Sequence, residues 1–365
     1  MTALNRTCIV LPIVESSQVG DARRQAVVMA GRLGFGETAQ GRVAIVLTEL
    51  AQNLVKHAQD GELVLQPVEW GGEVGIEVLA IDKGPGIRNV AQCLQDGYST
   101  VGTAGTGLGA IQRQSAQFEL YTLPGVGTAL MVRLMPTLSS PLEQNWLMVS
   151  GINRAKAGEV VSGDTWAVLH QPDYAHLGKP SPRTLILVGD GLGSGLAAAE
   201  ASQAAVRVMQ DNDHLSPKAI LQLAHPVLRN TRGAAVSIAA IYPEAGFLQY
   251  AGVGNVSGAI VTDGKSRSLV SYNGTIGLQF RKVEEFTYEW SPGSILILST
   301  DGLSNQWSLS SYPGLAARHP TLIAATLYRD FRRSRDDVTI LAAKSPLSDD
   351  RTPPIGGQDA HPTGI

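Results

Sequence analysis

The chain has 365 residues, with 29 Lys and Arg against 32 Asp and Glu, a formal charge of −3, 44% hydrophobic and 17% charged residues. That length predicts about two domains, each with enough apolar residues for its own core. The charge balance excludes general affinity for nucleic acid or anionic membrane, no apolar run approaches the ~20 residues that cross a bilayer, no secretory leader pattern opens the chain, and two distant cysteines, Cys8 and Cys93, make neither a disulfide framework nor a metal knuckle. A cytoplasmic protein is expected.

In chain order, Cys8–Val14 is apolar and β-branched and predicts a strand. Asp21 reads as the start signal of a helix over Ala22–Leu33, which Gly34–Gly36 ends. Thr38–Ala58 predicts a longer helix with Val43, Leu47, Leu50 and Leu54 on one side. Glu62–Gln66 and Val74–Ile81 read as strands, Ala110–Gln117 as a helix after a glycine loop, and Phe118–Thr122 with Thr128–Leu134 as a strand pair. Residues 1–136 thus predict one α+β domain. Residues 137–148, with Pro141 and its Ser and Thr neighbours just before, read as a linker. A second domain is expected over 149–344. Its predicted strands are Trp166–Gln171, Thr184–Val188, Ala234–Tyr242, Phe247–Val253, Ser294–Ser299 and Val338–Ala342. Its predicted helices are Ala197–Met209, Pro217–Leu228, Gly314–His319 and Thr321–Phe331. This mixture predicts layered β-sheets flanked by helices. Residues 345–365, rich in Pro and Gly, read as a disordered tail.

Two sets of residues carry chemistry. In the first, Glu49, Asn53 and His57 recur at four-residue spacing on one helical stripe. Asp82-Lys83-Gly84-Pro85-Gly86 ends a strand, and Gly105-Thr106-Gly107-Leu108-Gly109 opens a helix. An Asn carbonyl is a hard ligand for Mg²⁺, and glycines at a helix start let backbone N–H groups face phosphate. Glu49 is placed to orient or deprotonate a hydroxyl, or else to partner Asn53 or Lys56. Lys56 and His57 read as surface residues. In the second set, Asp164, Asp190, Asp301 and the pair Asp336 and Asp337 each stand at the end or start of an apolar strand, with glycines beside most of them. Strand ends on one sheet edge converge, and converging carboxylates suit hard divalent cations.

The first set, in this order, resembles the GHKL ATPases, closest to the serine kinases of the anti-sigma-factor and stressosome-switch type. The second resembles the metal-dependent protein phosphatases of the SpoIIE branch, closest to the stressosome feedback type. The resemblances imply a GHKL α/β sandwich followed by a phosphatase β-sandwich flanked by helices. They imply ATP with Mg²⁺ at Asn53, with Asp82, Gly84, Gly86, Gly105, Gly107 and Gly109 around the nucleotide and Glu49 as base. Asp96–Thr100 would belong to the lid. In the second domain they imply two Mn²⁺ or Mg²⁺ ions. Asp190 would bridge them with the Gly191 carbonyl on one, Asp164 would serve the second, and Asp301 with Asp336 or Asp337 the first. Leu192 stands where relatives carry a His general acid, so leaving-group protonation is expected from metal-held water or another residue. Arg154 or Lys156 is a weaker candidate for steering phosphate. The implied partners are STAS-domain antagonists, stressosome-like scaffold proteins or a component of a sigma-factor pathway, with no nucleic acid and no membrane. An ATP-dependent partner-binding domain without phosphotransfer is the alternative for the first half.

Overall fold

The computed structural model describes residues 8–94, 107–137 and 147–345, apart from 177, 280 and 334. The elements are β1 (Ile9–Pro12), α1 (Ser16–Arg32), α2 (Glu37–His57), β2 (Glu62–Trp70), β3 (Glu73–Asp82), the single turn α3 (Val90–Cys93), α4 (Gly107–Gln114), β4 (Gln117–Leu123) and β5 (Gly127–Leu134). Then follow β6 (Met148–Arg154), β7 (Asp164–Gln171), the short pair β8 (Ala175–His176) and β9 (Lys179–Pro180), β10 (Arg183–Gly191), α5 (Leu196–Asp211) and α6 (Pro217–Leu228). The chain continues through β11 (Ala234–Tyr242), β12 (Phe247–Val253), β13 (Ser257–Thr262), β14 (Lys265–Ser268), β15 (Phe286–Glu289), β16 (Ile295–Ser299), α7 (Pro320–Phe331) and β17 (Val338–Lys344).

Three antiparallel sheets carry the fold, in the strand orders β1-β2-β3-β5-β4, β15-β12-β11-β10-β7 and β14-β13-β16-β17-β6. They stack with the helices into six layers. Helices α1 and α2 cover one face of the first sheet with Ala22, Ala26, Val43, Leu47 and Leu50. Alanine on the α1 stripe lets the two helices approach closely. Helix α7 lies on the other face of that sheet, and its far side packs on the β16–β17 sheet. That sheet meets the β10–β11 sheet through Trp166, Ile186, Leu298 and Leu341. Helices α5 and α6 close the stack. Strands β5, β11 and β17 are buried at every position, because their sheets are covered on both faces.

Several sequence expectations shift. Helix α1 starts at Ser16, capped by Glu15 with Gln18 reaching back. Asp21 lies inside it and bonds Arg24 and Gln25. Strand β6 begins inside the expected linker, and Leu147 is already buried. Ser345, placed in the expected tail, is buried and accepts the Trp290 indole N–H at 3.2 Å. The rest of both segments, 138–146 and 346–365, lies outside the described residues. Strands β6, β8, β9, β13, β14 and β15 have no sequence expectation behind them.

The two halves share a polar seam as well as a core. Glu77 on β3 pairs with Arg133 on β5 at 2.9 Å, and both are buried. Glu77 also accepts from Gln66 at 2.8 Å and from the Thr321 hydroxyl of α7 at 3.1 Å. Gln66 donates to the Gly151 carbonyl at 3.1 Å, and Cys8 N–H to the Asn153 carbonyl at 3.1 Å. Thr321, Gly151 and Asn153 of the second half thus bond to Glu77, Gln66 and Cys8 of the first, and these bonds offset the cost of removing the groups from water.

Candidate functional site

The first site is built by the ends of α2, β3 and α4. Glu49 and Asn53 are half-buried on α2, while Lys56 and His57 are exposed. The Asn53 Oδ1 stands 4.0 Å from where a Cβ on Gly107 would lie, so the amide faces the first turn of α4. Asp82 is the last residue of β3, and its Oδ1 accepts the Gly84 N–H at 2.6 Å. Gly84 lies against the end of α2, where a Cβ would sit 2.9 Å from the His57 carbonyl oxygen. Gly86 has φ +69° and no room for a side chain beside Leu123. Gly109 is buried in α4. Burial pushes the Asp82 carboxyl up, opposed by the Gly84 N–H and the Arg329 guanidinium. An amide oxygen thus faces the first turn of α4, and a carboxylate stands at the strand end whose following Gly84 lies against the end of α2. Gly105 and Asp96–Thr100 lie outside the described residues.

The second site lies where β7, β10, β16 and β17 end or begin. Asp164 and Asp190 are directly opposed Cα partners on neighbouring strands. Asp164 is buried, and its Oδ2 accepts the Thr300 hydroxyl at 2.6 Å. Burial, then Asp190, holds its carboxyl well above the usual range. Burial, then Asp301 and Asp336, pushes Asp190 up to about 7. Asp301 is exposed after β16, and its Oδ2 accepts the Asn255 amide at 2.7 Å. Gly191 admits no side chain, since a Cβ would lie 1.9 Å from the Ala198 carbonyl oxygen.

The acidic pair before β17 divides. Asp337 is buried and accepts the Lys156 and Gly163 N–H groups at 2.7 and 2.9 Å, which fastens the loop leading into Asp164. Asp336 is exposed, and one of its oxygens accepts the Asp337 N–H. Among the described residues, no three His, Cys, Asp or Glu side chains close round a single point as a metal cage. Nor does any Lys or Arg pair with Asp164, Asp190, Asp301 or Asp336. Uncompensated carboxylates repel and spread. A set of hard oxygen donors with no counter-charge of its own fits divalent cations. Arg154 turns toward α7, where its Nη1 donates to the Tyr328 hydroxyl at 3.3 Å. Leu192 is exposed at the rim and carries no titratable group.

Sequence reading did not single out Thr300 or assign a role to Asn255. Thr300 directly precedes Asp301, so adjacency was the available signal there. Arg329, which reaches the Asp82 carbonyl, had no signal at all.

Comparison with known proteins assigns both halves. The family described as histidine kinase-like ATPase domain matches residues 14–149, and Stage II sporulation protein E (SpoIIE) matches residues 180–346. The serine/threonine-protein kinase RsbT of Bacillus subtilis is 35% identical over 109 residues, covering 30% of this chain and 82% of that protein. The phosphoserine phosphatase RsbX of the same organism is 29% identical over 151 residues, covering 41% of this chain and 71% of that one. A crystal structure of RsbX in complex with magnesium superposes with TM-score 0.48 and 25% identity over 56% of this chain and 97% of that chain. The chain belongs to the histidine kinase-like ATPase family in its RsbT-type first half, and in the same polypeptide its residues 180–346 match SpoIIE.

Proposed function

We propose that the chain sets two opposed activities on one signalling pathway: ATP-dependent phosphorylation of a protein serine at the α2–β3–α4 cleft, and metal-dependent removal of phosphate from serine or threonine at the carboxylate cluster. The observation that carries the reading is that Asp190, paired with Asp164 on one sheet, feels the charges of Asp301 and Asp336 at strand ends of the facing sheet, with no cationic partner among the described residues. Asp190 and Asp164 would hold one divalent ion and Asp190, Asp301 and Asp336 the other, with the Gly191 carbonyl contributing. Divalent cations there supply activation of water and neutralisation of the phosphate. Thr300 and Asn255 keep two of the carboxylates in place. Asp337 acts through the loop it fastens. In the first site Asn53 would hold Mg²⁺ against the phosphates of ATP, Asp82 would accept from the adenine amino group, and Glu49 would take the proton of the attacking serine. The small STAS-domain antagonists and scaffolds of partner-switching pathways suit both halves as substrates. No helix among the described residues is long and apolar enough to cross a membrane.

The test uses the full chain, labelled Mg·ATP and a purified STAS-domain protein. Transfer of label to a serine, then its release on adding Mn²⁺, is the expected result. Release that persists in excess chelator would remove the metal-dependent reading. Nucleotide binding with no transfer to any such protein would leave the first half a partner-binding domain.

A further inference from the structure

Helix α7 belongs in sequence to the phosphatase half, yet it touches both sites. Arg329 in its last turn is buried, and its Nη1 donates to the Asp82 backbone carbonyl at 3.4 Å. Its Nε and Nη2 are held at 2.7 Å by both oxygens of Asp330, and Asp330 also accepts the Tyr312 hydroxyl at 2.7 Å. The guanidinium plane is thereby locked to the helix end. On the other side, Gly127 starts β5 with φ +136°, and a Cβ there would lie 2.9 Å from Arg329 Nη1 and 2.1 Å from the Asp82 carbonyl oxygen. A side chain at 127 would thus displace the contact.

The same helix end is bonded to the loop that presents Asp301. Ser304 N–H donates to the Phe331 carbonyl at 2.9 Å, and Arg333 N–H to the Gly302 carbonyl at 2.7 Å. Leu303 and Arg332 form an antiparallel bridge. Gly302 is closed against the Asp337 backbone, where a Cβ would meet the carbonyl oxygen at 1.9 Å. Four residues, Arg329 to Arg332, thus span from the Asp82 strand end to the Asp301–Ser304 loop.

We propose that Arg329 is a positioning residue for the nucleotide site, and that the α7 end couples nucleotide at Asp82 to the setting of the Asp301 loop in the phosphatase site. A nucleotide that draws on Asp82 shifts the carbonyl that Arg329 holds. The locked guanidinium passes the shift to Phe331–Arg333, and hence to Gly302 and Ser304. By linkage, occupation of the phosphatase site changes nucleotide affinity by the same factor. The inference rests on the nucleotide reading of the Asn53–Asp82 cleft.

The test is hydrogen exchange on the full chain, with and without a non-hydrolysable Mg·ATP analogue whose binding is followed by calorimetry. Exchange at the Ser304 and Arg333 amides should change by about fivefold or more in the wild type, the lower range of measured couplings between sites. In Arg329→Met, which keeps the volume and removes the donors, the analogue should still bind, several-fold more weakly, and leave those amides unmoved. Unchanged exchange in the wild type with the analogue bound overturns the coupling while leaving the nucleotide site intact. Failure of the wild type to bind the analogue overturns both. The wild-type comparison stands even if Arg329→Met folds poorly.

Discussion

At the scale of the residue, Asp190 sits between Asp164, its strand partner, and Asp301 and Asp336, which both raise its carboxyl. Its loss should cost more than the loss of any neighbour. Asp190→Asn is expected to reduce Mn²⁺-dependent phosphatase turnover by more than the roughly 10–100-fold typical of losing an outer partner. Asn255→Ala removes only the amide that holds Asp301, and should weaken metal affinity within that range. Phosphatase assays across a Mn²⁺ titration check both, and equal effects would deny Asp190 its central place. In the first half, Glu49→Gln keeps the shape of the side chain and removes the base. ATP binding should persist while serine phosphorylation falls by roughly 10²–10⁴-fold. An unchanged transfer rate would reduce Glu49 to a packing residue on α2. Asp190 was legible in sequence because it is a carboxylate between glycines at a strand end, and Glu49 because it shares a helical stripe with Asn53. Arg329 carried no such marker, since a buried arginine in a helix reads as any other.

At the scale of the element, α7 is the part whose role sequence did not disclose. Its spacing predicted a helix over Thr321–Phe331, and the helix runs Pro320–Phe331, with His319 at the position before its first turn. What spacing could not say is that the helix is buried from Pro320 to Arg329. An amphipathic helix shows one apolar stripe, whereas this one packs a sheet on each side. Ile323→Ala, at a position with no solvent exposure in the shared core, should destabilise the chain by about 2–5 kcal/mol. Because both sheets lose contacts together, amides of β5 and β17 should gain exchange in parallel. Gain confined to β17 would show that α7 is not a common support. Strand β14 was missed for the opposite reason. Lys265–Ser268 is exposed at an edge and has no apolar alternation to mark it.

At the scale of the whole molecule, a short linker between independent domains was the expectation, and a continuous stack is the finding. Val64, Leu79, Ile81 and Met131 cover one face of the first sheet and are buried only because the second half lies there. Separated at residue 137, the first half should expose that face and aggregate, as light scattering would show; a monodisperse fragment would contradict it. The seam also carries a titrating group. His319 Nε2 faces the Arg133 guanidinium at 3.2 Å, and since arginine only donates, that nitrogen is unprotonated. Burial, then Arg133 and Lys344, holds the ring well below its ordinary value. The unfolded chain therefore binds a proton below about pH 6.5 that the folded chain refuses, and stability falls with pH there. From about pH 7.5 to about pH 5.5, urea midpoints of the wild type should fall relative to His319→Asn, by up to about 1.4 kcal/mol per pH unit below the unfolded value. Parallel profiles would place the ring in water. Sequence alone determined the two chemistries and their order, because a nucleotide cleft and a carboxylate cluster each demand particular residue types at strand and helix ends. Tertiary structure alone decided which of Asp336 and Asp337 is free, that Arg154 serves the seam, and that the two halves are one body. Those outcomes depend on which faces meet, and partners such as Glu77 and Thr321 lie 244 residues apart, beyond the reach of any local pattern.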